Sequence, residues 1–430
     1  MPQSPRPSRR VYRRRRIVVF GVLALFVAAV TAGGVYTADA LNAEVPEVAA
    51  TVSVPEVAAA PAVELDAPEV AAYAIGELDD DELLAASDAD ESVPIASITK
   101  VVTALVVLDA RPLGADEQGP AISYTAADVQ IYWQTIAENG SNAPVYEGST
   151  LSQRQSLEAV MLPSANNYAK SLAIWAYGSE QAYLDAARDW LDANGLHDTV
   201  VVDTSGLSPD SRSTPRDLVE LGRLALQSPA LAQIVAQEQS ELPAVGLIEN
   251  TNELLGTHGV DGIKTGTTVE AGACLLFSGD YEVGSRTVTL VGVALGADTH
   301  PELNEEIAGL LDTTAAGFHE VDVIDAGDEF ASYATAWGDR AVARADGEAS
   351  VLVWSDTPIT VEVDARPLAL AADGADAGSI TVVAGDEVVE VPLTLDGDLE
   401  DPGTWWRLSN PGGLDPQSSA RVLEPAGSAE

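Results

Sequence analysis

The sequence predicts an α/β protein: an antiparallel sheet covered by helices, followed by a small all-β domain and preceded by a membrane-crossing helix. Three observations carry this expectation. Between 73 and 320, strand-like runs stand at both ends and helical patterns lie between them, the order expected of helices packed on an antiparallel sheet. From 321 to 408 the helical periodicity fades into short alternating runs divided by Asp-Gly, Gly-Asp and Pro. Ile17 to Ala38 carries no charge, and about 20 such residues span a bilayer core.

Taken in order, residues 1–16 form a basic segment with seven arginines and no acid. This places the N-terminus in the cytoplasm and the rest of the chain outside. Residues 17–38 are an anchor or a signal. Ala38-Asp39-Ala40 fits a cleavage site, but the length of the apolar run favours a retained single-pass anchor; both readings export the remainder of the chain. Residues 39–72 repeat Pro-Glu-Val-Ala-Ala at 46–50, 55–59 and 68–72, as an extended spacer does. Tyr73–Leu78 and Leu83–Ala86 resemble a hairpin. Ile98–Asp109 is a nearly all-apolar, buried central helix. Leu151–Tyr177 and Gly178–Asn194 read as two helices and Thr214–Leu226 as another, with Pro215 at its start. Ala271–Ser278, Val283–Gly296 and the flanks of Gly262–Thr268 read as strands. In the 321–408 domain, Ser350–Trp354, Ile359–Val363 and Ile380–Val383 do so as well. The tail from 409 to 430 is rich in Pro, Gly and Ser, as disordered ends are.

The formal net charge of −45 excludes nucleic acid as a partner, since phosphate binding needs a basic surface. The only cysteine, Cys274, lies in an apolar run. This rules out a disulfide framework and reads as a core residue. Lysine is scarce: of 22 cationic residues only Lys100, Lys170 and Lys264 are lysines. A position that keeps Lys where the chain otherwise prefers Arg points to a need that Arg cannot meet, the loss of a proton near neutral pH.

Two of the three lysines sit in short motifs. In Ser97-Ile98-Thr99-Lys100 the serine and lysine lie one helical turn apart on one face. A lysine in a dry site can be neutral, because burial disfavours its charged form, and can then activate the hydroxyl. In Ser164-Ala165-Asn166 the hydroxyl can relay a proton and the amide can hold a peptide backbone. In Lys264-Thr265-Gly266, followed by Thr267, a glycine lets a substrate lie against a strand edge, and the lysine and hydroxyls can take a carboxylate. Each motif alone has a plainer reading: an N-cap serine, a turn after Pro163, an edge-strand lysine. Lys170, on a polar helix position, gets no role. The four histidines, His197, His258, His300 and His319, are expected to touch none of the motifs, so neither a His-based triad nor a metal site is expected, and no cofactor.

The order S-x-x-K, S-x-N, K-T-G resembles that of the serine penicillin-recognising enzymes. Flanking segments narrow the resemblance to low-molecular-mass D-Ala-D-Ala carboxypeptidases. They are Asp203-Thr204-Ser205-Gly206-Leu207 with Ser213-Thr214-Pro215-Arg216-Asp217-Leu218, then Asn250-Thr251-Asn252-Glu253-Leu254-Leu255, Asp261-Gly262-Ile263, and Ala271-Gly272-Ala273-Cys274. The resemblance implies a β-lactamase/transpeptidase-like catalytic domain and a following β domain. It implies a hydrolase that removes the terminal D-alanine from peptidoglycan stem peptides and is acylated by β-lactam antibiotics. By the same resemblance Ser97 is acylated and Lys100 is its base. Ser164 helps protonate the departing D-alanine, and Asn166 holds the substrate. Lys264 keeps its charge, and Thr265 and Thr267 face the terminal carboxylate. Backbone N–H groups of Ser97 and Thr267 form the oxyanion hole. Two features depart from the expectation set by the family: the usual C-terminal amphipathic anchor is not seen, and an arginine is lacking. The arginine often found after the strand ending at Gly296-Ala297 is missing, Glu302 and Leu303 being the positions nearest to it, so weak recognition of the carboxylate is expected. Competing readings are a β-lactamase-like hydrolase and a catalytically idle wall-binding scaffold. The stretch from His197 to Val202 lacks the Glu-x-x-x-Asn pattern of class A β-lactamases, and the intact Ser97, Lys100 and Lys264 set speaks against idleness.

Overall fold

The computed structural model describes residues 9–410 together with Leu414. The first eight residues and, apart from Leu414, the tail beyond Asn410 lie outside the described residues. The chain divides into two compact units, one from Pro61 to Glu320, the other joining the stretch up to Ala60 to the chain from Val321.

The unit from Pro61 to Glu320 is built on a five-stranded antiparallel sheet. Its order is Val260–Thr268, Gly272–Val283, Arg286–Ala297, Ala72–Glu77 and Leu83–Ser87. The third motif therefore lies on an edge strand. Helix α2 (Thr99–Ala110) is the apolar run expected to be central, with Val101, Val102, Ala104, Val106 and Val107 fully buried. It packs against helices α4 (Gln153–Met161), α5 (Asn166–Tyr177), α6 (Glu180–Ala193) and α7 (Pro215–Gln227), while α3 (Ala126–Ala137) packs on α5 and α8 (Pro229–Val235) on α4 and α7. Helix starts follow their capping residues. Ser152 and Gln155 form a capping box on α4. Thr214 accepts from Asp217 N–H on α7, with Pro215 in the first turn.

Two expectations are corrected. Leu151–Tyr177 is not one helix: α4 ends at Met161 and α5 begins at Asn166. Pro163 cannot donate to a helix and disfavours helical geometry before it, and Ser164 takes a positive φ of 61°. The spacer 39–72 also carries structure. Thr51–Val52 pairs antiparallel with Ser332 and Ala331, and Val48 bridges Leu368. The Thr51–Val54 stretch is free of proline and alternates, so its backbone can enter a ladder until Pro55 removes a donor. Further on, the Asp66 and Glu69 N–H groups donate to Thr313 and Glu306 of helix α9 (His300–Ala316).

In the other unit, a six-stranded antiparallel sheet and the two-stranded pair Phe318–Ile324 and Ala349–Trp354 share one core that buries Phe330, Tyr333, Val351, Ile380, Val382 and Leu393. Helix α1 (Arg9–Asn42) is long and apolar enough to cross a membrane and buries none of its residues.

Candidate active site

Ser97 sits in a single 3₁₀ turn, Ala96–Ile98, that leads into α2. Ala96 is held at a positive φ of 45°, a region that costs a non-glycine residue about 1–3 kcal/mol and clusters at functional sites. One turn on, Lys100 Nζ lies 2.7 Å from Ser97 Oγ and donates to the Ser205 carbonyl at 3.0 Å. The loop that supplies this carbonyl is organised by Asp203, whose carboxylate accepts the N–H groups of Ser205, Gly206 and Ser208 at 2.6–2.8 Å.

Lys100 is fully buried. Burial drives its pKa well below the ordinary lysine value, the charge of Lys264 lowers it further, and Asp203 opposes. Lys264, on the edge strand, is also buried and is pushed down to about 7 by desolvation. Its Nζ donates to Thr265 Oγ1 at 3.3 Å. Both amines are pushed down by burial, and Lys100, the one next to the serine, is pushed down additionally by the charge of Lys264, which is the sense needed for a base beside a cation.

Ser164 and Asn166 lie at the break between α4 and α5. Ser164 Oγ and Asn166 Oδ1 are buried and, among the described residues, have no hydrogen-bond partner. Buried polar atoms are seldom left so, and a peptide bound here would satisfy them. The Asn166 N–H donates to the Ser141 carbonyl at 2.8 Å.

Ser97, Ser164, Thr265, Gly266 and Thr267 line one cavity of about 220 Å³. Lys100 and Lys264 lie buried at its wall through their contacts with Ser97 and Thr265, and Asn166 adjoins it through Ser141. Gly266 lets the strand approach the nucleophile: a Cβ there would come within 3.2 Å of the Ser97 nitrogen.

Sequence reasoning missed three lining residues, Ser141, Thr251 and His300. Thr251 lies in the Asn-Thr-Asn segment that carried the resemblance, and its hydroxyl meets that of Thr265 at 2.5 Å. Thr265 Oγ1 is thus already engaged twice. The expectation that no histidine touches a motif is wrong, because His300 Nε2 lies 2.6 Å from Thr267 Oγ1. Neither position named for the missing arginine faces the cavity. Leu303 is fully buried, and Glu302 is tied to the helix cap through Thr299. Arg286 stands at the far end of its strand, paired with Val283, while Ala297 at the near end pairs with Ala273 beside Thr267. Outside the site, Lys170 pairs with Glu180 at the surface, and Cys274 is a buried core residue whose thiol burial pushes up to about 11.

Comparisons with known proteins bear on the family and the fold. The family described as D-alanyl-D-alanine carboxypeptidase matches residues 57–299. A D-alanyl-D-alanine endopeptidase of Pseudomonas aeruginosa is 35% identical over 228 residues, covering 51% of this chain and 69% of that protein. A D-alanyl-D-alanine carboxypeptidase of Mycobacterium tuberculosis is 32% identical over 200 residues, covering 45% of this chain and 65% of that one. Penicillin binding protein 5 from Haemophilus influenzae shares the fold, with a TM-score of 0.55 at 21% identity over 82% of this chain and all of that one. With three motifs gathered at one cavity and the family match spanning most of the sheet-and-helix unit, the chain belongs to the D-alanyl-D-alanine carboxypeptidase family.

Proposed function

We propose that this chain cleaves the terminal D-alanine from peptidoglycan stem peptides through an acyl-enzyme on Ser97, as its family's activity implies. The observation that carries the assignment of roles is the 2.7 Å approach of a buried lysine amine to Ser97 Oγ. Neutral Lys100 takes the Ser97 proton as Oγ attacks the carbonyl of the penultimate residue. The oxyanion is met by the Ser97 and Thr267 N–H groups. Ser164 passes the proton from Lys100 to the departing amine, D-alanine leaves, and water then releases the shortened peptide. Asn166 fills its open hydrogen-bonding position with the peptide backbone. Lys264 supplies the standing charge. Thr265 and Gly266 shape the edge on which the peptide lies.

The test uses a peptide ending in D-Ala-D-Ala and labelled penicillin. Released D-alanine and a long-lived penicillin adduct on Ser97 are expected. A short-lived adduct would favour a β-lactamase-like hydrolase, no adduct a scaffold, and an adduct on another serine would overturn the Ser97 assignment. The relatives named endopeptidases favour a second reading, cleavage within D-Ala cross-links, and product analysis with a cross-linked peptide decides between them.

The helix Arg9–Asn42 supports a single-pass anchor with the catalytic unit outside the cell. Mass spectrometry of the mature protein should find the helix retained; a new N-terminus just after Ala40 would convert the anchor into a cleaved signal.

A further inference from the structure

We propose that His300 is the residue that reads the free carboxylate of the substrate's terminal residue, and that it does so as an imidazolium. The assignment rests on the reading of the cavity as a peptide site.

A terminal carboxylate taken out of water needs a cation, because a buried unpaired charge costs several kcal/mol. Of the residues lining the cavity, His300 alone can become one, the others being serines, threonines and a glycine. Lys100 is fully buried and Lys264 is 2% exposed. Lys100 Nζ is bonded to Ser97, and Lys264 Nζ points to Thr265. His300 is half-buried as the first residue of α9, with Nε2 2.6 Å from Thr267 Oγ1.

The charged groups around it are Lys264 on the edge strand, Glu253 in the segment before that strand, and Glu302 on its own helix. The Glu302 carboxylate accepts from Thr299 Oγ1 at 3.0 Å. Burial pushes the imidazole below its ordinary value, Glu253 opposes, and Lys264 adds to the fall. The start of α9 disfavours a cation in the same sense. In the empty enzyme at neutral pH the ring is therefore neutral, and its bare nitrogen can hold the Thr267 proton. An arriving carboxylate reverses the balance. One proton is taken from solvent, both ring nitrogens become donors, and the Thr267 hydroxyl is released to turn towards the carboxylate. An amide-ended peptide draws no such proton.

The experiment measures kcat/KM for matched acid and amide peptides from pH 5.5 to 8. Their ratio cancels the titration of Lys100, which both substrates share, and any part owed to the charge of Lys264 is the part that persists in His300→Gln. The wild-type ratio should rise at least about tenfold as pH falls through the histidine range. Apart from the part owed to Lys264, it should be low and flat in His300→Gln, and high and flat in His300→Arg. A wild-type ratio that does not vary with pH, or that varies equally in His300→Gln, overturns the proposal. A second measurement is independent of turnover. In Ser97→Ala, NMR titration of the four histidines should show the proton affinity of His300 rising at least about tenfold with the acid peptide and unchanged with the amide. Cleavage of neither peptide by the wild type overturns the proposed activity, while the NMR titration still decides whether His300 reads a carboxylate.

Discussion

Lys100→Arg is expected to lower the rate of acylation by penicillin by roughly 10³-fold or more, near the upper range for loss of a general base. Lys264→Arg should cost only about tenfold. The reason lies in what each amine must do. Lys100, fully buried and 2.7 Å from Ser97 Oγ, serves as a proton acceptor, and a guanidinium cannot accept a proton at accessible pH. Lys264 serves as a charge, which arginine keeps, though its larger head must fit where lysine is 2% exposed. The pH profile carries the same division. Lys100 is driven well below its ordinary value by burial and by Lys264, so activity rises with pH as it loses its proton. Lys264 is pushed down to about 7, so activity falls again as it too is neutralised. The alkaline limb should move to higher pH in Lys264→Arg, because guanidinium stays charged. Equal losses in the two variants, or an unmoved alkaline limb, would sink this division of labour.

How far the site could be foreseen depended on whether a residue acts within its own element or across the fold. Ser97 and Lys100 share one turn, so their contact follows from spacing. The apolar run that became α2 marked itself as buried, because almost every side chain in it is a core residue. The long strands Gly272–Val283 and Arg286–Ala297 were visible as apolar runs, although their ends were misjudged where alternation passes into the turn at Gly284-Ser285. The break between α4 and α5 was hidden, since helical periodicity continues on both sides of Pro163. The signal was Pro163 followed by the Ser-Ala-Asn motif, which as a turn excludes an unbroken helix. His300 was not legible at all. Its approach to Thr267 joins the start of α9 to an edge strand 33 positions earlier, and only the order of strands in the sheet brings them together. The Thr-His-Pro-Glu cap locates the start of a helix but says nothing of which strand end it faces.

That dependence on long-range packing is testable at Gly206, where the effect of one methyl group should be large. Gly206 follows the carbonyl that binds Lys100, and it adopts a φ of +77°. A Cβ there would stand 1.7 Å from the Ala96 carbonyl oxygen and 2.6 Å from Thr99 Oγ1. Neither neighbour can yield cheaply. Ala96 is backbone in an already strained conformation next to the nucleophile, and Thr99 is a buried residue at the start of α2. Gly206→Ala must therefore move either the loop, loosening Ser205 from Lys100, or the turn that carries Ser97. A displacement of about 1 Å at reacting atoms costs on the order of 10²-fold, so acylation should fall by at least that factor. Gly178 is the matched control. It has a φ of +85° at the end of α5, and a Cβ there would meet nothing within 4 Å. Gly178→Ala should cost only the left-handed backbone penalty of about 1–2 kcal/mol in stability, with acylation unchanged. Thermal melts separate the two effects. A Gly206→Ala protein that melts near the Gly178→Ala protein yet acylates poorly locates the damage at the site. One that acylates at the wild-type rate would show that the loop bearing Ser205 does not hold the Ser97–Lys100 pair in place.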